Sequence, residues 1–155
     1  MLDSLKELLN GFDPAALLPD LEKLFGAMEP VARLAVMAGP VCLLALGLLY
    51  LFAAPKEANH YLGFRCWWGM SSVEVWQYTQ RLAGLVWGGL GAALTAVMYF
   101  VSGGFAEMTH DELLRAAVTA LIWELALVIV SVIAINAVII VLFDRKGYRR
   151  RRTRI

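Results

Sequence analysis

Polar and apolar positions divide the chain into a punctuated amphipathic start, three long apolar stretches and a basic end. Near the start, Leu2, Leu5, Leu8 and Leu9 share one helical face while Asp3, Lys6 and Glu7 turn away, which is the 3.6-residue signature of an amphipathic helix. Asp13 followed by Pro14 reads as a second helix start, because Asp caps free amides and Pro suits a first turn. Leu17, Leu18, Leu21, Leu24 and Phe25 continue that stripe. The pattern predicts a pair of short helices lying along a membrane surface; a segment that fills a partner's groove has the same pattern. Apolar runs at 31–54, 82–101 and 125–143 each approach the roughly 20 helical residues that cross a hydrocarbon core. As helices they satisfy their own backbone where water is absent.

The predicted fold is therefore all-α, a small polytopic membrane protein with three transmembrane helices after an amphipathic N-terminal segment. Residues 1–29 form that segment, 30–143 a membrane domain with a distinctive loop at 55–84, and 144–155 a basic tail. Composition agrees with this division. Of 155 residues, 60% are hydrophobic and 17% charged, against roughly 25% charged in soluble domains, and mean hydropathy is +0.65. The first thirty residues carry acids and the prolines Pro14, Pro19 and Pro30, not the basic-then-apolar order of a cleaved leader, so the N-terminus is expected to be retained. Cys42 lies in the first span and Cys66 in the loop, a placement that disfavours a disulfide.

Basic residues in short loops mark the cytoplasmic side. The tail holds seven Lys or Arg among its last eleven residues, whereas the loop at 102–111 has Glu107, His110 and Asp111 and no basic residue. With three spans, this places the C-terminus and the loop at 55–84 in the cytoplasm and the N-terminus outside. The tail is expected to hold anionic lipid; binding to an acidic partner remains open, and nucleic acid is not expected.

Within the spans, Gly39-Pro40 is expected to kink the first helix. Gly84, Gly88 and Ala92 present a small-residue face for close helix packing, against either the same chain or a second copy in a homo-oligomer. Glu124 precedes an apolar run that covers about 28 Å at helical rise, which puts it near the outer interface. It reads either as an interfacial acid beside the Trp123 anchor or as a buried proton or cation site. Asn136 is expected to tie two helices together.

The loop at 55–84 concentrates the polar and aromatic residues. Trp67 and Trp68 suit a headgroup layer, with Arg65 beside them. Ser71 or Ser72 caps a helix that has Glu74 in its first turn. Trp76, Gln80 and Gly84 fall on one stripe, against which Asn59 and Arg65 are expected to fold; Tyr78, Arg81 and Leu82 lie on another side. Asn59-His-Tyr-Leu-Gly63-Phe-Arg65, followed by Ser71-Ser72-Val-Glu-Val-Trp76-Gln-Tyr-Thr-Gln80-Arg81-Leu-Ala-Gly84, resembles the signature of the SdpI family of bacterial membrane proteins. In that family an Asn, a Gly-aromatic-Arg triplet, a serine-containing turn and a Trp followed by Thr, a polar residue and Gly occur in this order. The resemblance implies immunity to a secreted peptide toxin that collapses the membrane potential, and signalling through a cytoplasmic regulator held at the membrane. Two departures stand out: Cys66 replaces the usual Thr or Ser, and the additional N-terminal spans of longer members are missing.

No cofactor or metal site is indicated, and the chain is not expected to be an enzyme. His60 and His110 fall on opposite sides of the predicted membrane, and no zinc-protease, serine-hydrolase or phosphate-loop motif appears. The alternative function is a small oligomeric transporter or channel with Glu124 and Asn136 lining a path. The signature residues also suit a purely structural role, as a hydrogen-bonded clamp with no ligand.

Overall fold

The computed structural model describes residues 18–59 and 61–150, with 18–25 as backbone only. The expected first amphipathic helix, the Asp13-Pro14 start, His60 and residues 151–155 lie outside the described residues. Three long helices dominate: α1 at Leu18–Phe52, α2 at Val73–Gly103 and α3 at His110–Leu142. Short 3-10 turns at Trp68–Met70 and Gly104–Glu107 lead into and out of α2. Three segments, Gly26–Phe52, Val73–Glu107 and His110–Leu142, are long and apolar enough to cross a membrane.

Each helix extends beyond its apolar run. Helix α1 continues through both Pro30 and Pro40, so Pro30 does not separate an interfacial helix from the first span. A proline removes one backbone bond, a loss that long membrane helices tolerate. Helix α2 starts early because Ser72 has extended backbone and its hydroxyl accepts from the Val75 N–H at 3.3 Å. Trp76 and Gln80 consequently stand on the helix itself. Helix α3 starts at a capping box, in which Glu112 Oε2 accepts from the Thr109 N–H at 3.0 Å and the Thr109 hydroxyl at 2.8 Å. It therefore runs through Asp111 and Arg115, both exposed, well before the apolar run begins.

Helix α2 packs chiefly on α1, with α3 resting on both. The small-residue face makes this contact within the chain. A Cβ at Gly47 of α1 would lie 2.5 Å from Gly88 Cα, and one at Gly91 would lie 2.7 Å from Leu44 Cα. Gly91, not the exposed Ala92, completes the face with Gly84 and Gly88. Close backbone approach of this kind substitutes for a hydrophobic drive between helices in lipid. Gly47→Ala meets unyielding backbone and is expected to cost about 2 kcal/mol despite better helix propensity. Gly89→Ala, where a Cβ would meet nothing within 4 Å, should be neutral or stabilising by up to about 1 kcal/mol. Thermal unfolding of both variants in nanodiscs checks the ranking.

The core forms two clusters. Tyr50, Phe64, Val75, Ala83, Ile135, Ile139 and Phe143 pack at the end where α2 begins, and Val36, Met98, Phe105, Leu113, Ala117 and Ala120 at the other. The signature loop crosses the first cluster.

Candidate functional site

A buried glutamine organises the loop. Gln80 is 2% exposed. Its Oε1 accepts from the Phe64 N–H at 2.7 Å, and its Nε2 donates to the Phe64 carbonyl at 2.9 Å. The side-chain amide thus pairs with the N–H and C=O of one residue as a neighbouring strand would, satisfying both groups where water is excluded. One turn earlier, the fully buried Trp76 donates its indole N–H to the Pro55 carbonyl at 2.8 Å, and Gln77 Nε2 donates to the Lys56 carbonyl at 3.2 Å. Helix α2 therefore holds both ends of the segment 55–64.

Gly63 makes that approach feasible. Its φ of +126° lies where side chains are strongly disfavoured, and a Cβ there would sit 2.7 Å from Trp76 Cη2 and 2.9 Å from Gln80 Oε1. Asn59 shapes the loop differently from the expectation. Its Oδ1 accepts from the Tyr61 and Leu62 N–H groups at 2.8 and 2.9 Å, a local Asx turn. Arg65 is exposed and its side chain forms no hydrogen bond or salt bridge among the described residues. Asn59 and Arg65 thus do not fold their side chains onto the Trp76–Gln80 stripe as expected; the backbone of Phe64 takes that place.

Beneath the clamp, the Phe64 ring stands edge-on to Trp87 at 5.3 Å, and Tyr50 lies 5.6 Å from Trp87 on the other side. Trp87 donates to Ser131 Oγ at 3.0 Å, and Ser131 donates to the Val128 carbonyl at 2.7 Å. This chain of contacts connects the loop through α2 to α3. Gly84, the last residue of the stripe, faces α1 instead, where a Cβ would lie 2.7 Å from Leu51 Cγ.

The serine turn and the start of the tail close the site. Ser71 Oγ donates to the Trp68 carbonyl at 2.7 Å, leaving Ser72 as the helix cap. Ser72 Oγ also donates to the Gly147 carbonyl at 3.3 Å. Gly147 has a φ of +81°, and a Cβ there would fall 2.7 Å from the Ser72 side chain. Asp144 Oδ1 accepts from the Lys146 and Tyr148 N–H groups, so the first tail residues form a turn docked on the loop. Phe143 meets Tyr78 edge-on at 5.3 Å, and the Arg145 guanidinium sits 5.7 Å over the Trp68 ring. Sequence reasoning missed Phe64, Trp87, Ser131 and this turn; Asp144-Arg-Lys-Gly147 is the one local signal, an Asx-type turn ending in glycine.

Cys66 helps to shape the turn before α2. Its Sγ accepts from the Gly69 N–H at 3.2 Å, and burial pushes the thiol up from its ordinary range against that hydrogen bond. Cys42 and Cys66 are both free thiols. Arg81 is exposed and adds no bond to the clamp.

The two polar residues of α3 have different surroundings. Glu124 lies near the middle of α3; it is 6% exposed, and Oε1 has no hydrogen-bond partner. Asn136 Nδ2 donates to the Val132 carbonyl at 2.8 Å within its own helix, so this donor does not tie α3 to a neighbour. Among the described residues no group of His, Cys, Asp and Glu is arranged to hold a metal ion.

No curated protein and no solved structure matches the chain. The profile of the SdpI/YfhL protein family matches residues 55–143, which run from the proline whose carbonyl Trp76 grips to the phenylalanine packed beneath Tyr78. With more than half its length matched, and with the clamped loop inside the match, the chain belongs to the SdpI/YfhL protein family.

Proposed function

We propose that this membrane protein acts as an immunity and signalling protein of the SdpI type, protecting its host against a membrane-depolarising peptide toxin. One observation carries the reading. The signature residues include a set that builds the loop (half-buried Gly63 with buried Trp76 and Gln80) and an exposed arginine, Arg65, that the clamp positions without using it. A motif serving only as a hydrogen-bonded clamp has no need of that guanidinium. Tyr61 and Trp67, 94% and 88% exposed, flank it and complete an aromatic and cationic surface for a toxin or a regulator.

Orientation belongs to the same proposal. Seven Lys or Arg among the described residues (Lys56, Arg65, Arg81, Arg145, Lys146, Arg149 and Arg150) lie at the loop end of the bundle, against Arg33 and Arg115 toward the other. The basic end then faces the cytoplasm, with the N-terminus outside. The alternative of an oligomeric transporter or channel retains Glu124 but loses Asn136, whose donor is bonded within α3.

Survival and membrane potential of a sensitive bacterium expressing the chain, challenged with potential-collapsing peptides, test the proposal. Arg65→Ala should abolish protection while membrane level and melting temperature stay unchanged, and Glu124→Gln should retain protection. The reverse ranking would sink the reading.

A further inference from the structure

The two apolar clusters do not meet. Between them, Gly39, Pro40 and Leu43 of α1, Leu94 of α2, and Leu121 and Glu124 of α3 border a cavity of about 300 Å³. Pro40 and Leu94 are buried, whereas Leu46 and Leu125 at the rim are 40% and 61% exposed, so the cavity opens sideways between α1 and α3 toward lipid. Glu124 reaches across to α1, where Oε2 would lie 2.7 Å from a Cβ on Gly39. Gly39 is therefore the residue type that makes room for the carboxyl.

Among the described residues the acid has no partner. Oε1 is buried and unbonded, no salt bridge reaches Glu124 among the described residues, and the free thiol of Cys42 is the other ionisable group on the cavity wall. An isolated charge in hydrocarbon is costly, and a lone acid inside a membrane helix calls for a complement. An apolar cavity with a single convergent polar group selects a mainly apolar ligand with one complementary head. We propose that this cleft binds a lipophilic ammonium ion, with its cationic head against the Glu124 carboxylate and its alkyl chain in the apolar cavity. The site is separate from the signature loop: no residue of 55–84 lines the cavity, and Ser131, where the loop's contacts reach α3, lies about 10 Å further along the helix.

The test uses the full chain in phosphatidylcholine nanodiscs and dicyclohexylcarbodiimide as the probe. The acid adds across a C=N bond of this reagent and rearranges to a stable N-acylurea, so mass spectrometry finds the whole reagent's mass added at Glu124. Labelling of Glu124 is expected, and octyltrimethylammonium at ten times its dissociation constant should slow it roughly tenfold, while octanol of the same chain length should not. Gly39→Ala, by displacing the carboxyl, should weaken the protection. An unlabelled Glu124, protection absent, or equal protection by octanol would each overturn the assignment.

Discussion

Gly63→Ala is expected to dislodge the signature loop and lower stability by about 4 kcal/mol, a sum of backbone strain and steric overlap. The backbone at φ +126° carries the first part. The second is the overlap of the new methyl with Trp76 at 2.7 Å and Gln80 at 2.9 Å. Neither neighbour can retreat cheaply, since Trp76 is fully buried and bonded to Pro55, while Gln80 carries the paired bonds to Phe64. The melting temperature in nanodiscs should fall, and limited proteolysis should open the segment 55–72. An unchanged melting temperature would show that the loop does not depend on this approach.

Gln80→Leu carries the second large effect, about 3 kcal/mol, because it strands a buried donor and a buried acceptor on one residue, Phe64. Leucine keeps most of the volume, so the loss reports the hydrogen bonds and not a cavity. Gln80→Glu keeps the shape and the acceptor for the Phe64 N–H, but turns an oxygen toward the Phe64 carbonyl that now receives a donor. It should also be destabilised, as a carboxylate offers no N–H to replace the lost bond. Equilibrium unfolding of the three proteins in one detergent checks both values, and loss of less than about 1 kcal/mol in each would remove the clamp from the account.

Side-chain periodicity exposed much of this arrangement and none of its central bond. The Trp76, Gln80 and Gly84 stripe, the Ser72 cap and the three spans follow from residue types at helical spacing. That Gln80 grips the main chain of Phe64 does not, because a backbone peptide has no sequence of its own; Gly63 beside it is the only trace. Asn59 and Arg65 drew attention as polar residues in need of partners. Asn59 found backbone amides two and three residues away, and Arg65 remained at the surface. The burial of Glu124 against α1 is not legible in apolar runs, because it depends on how α3 packs and not on where the run begins. The docked turn at 144–150 was hidden beneath its own charge: seven basic residues in the tail suggest a lipid anchor, while Asp144 and Gly147 fold its start onto Ser72.

The division of labour between buried clamp and exposed arginine depends on one backbone amide. Single-residue hydrogen exchange at Phe64, in the native chain and in Gln80→Leu within the same nanodiscs, examines it directly. Strong protection in the native chain that falls to the level of an exposed loop amide in the variant is the result predicted by the Gln80–Phe64 pair. A Phe64 amide that already exchanges at loop rates in the native chain would contradict it.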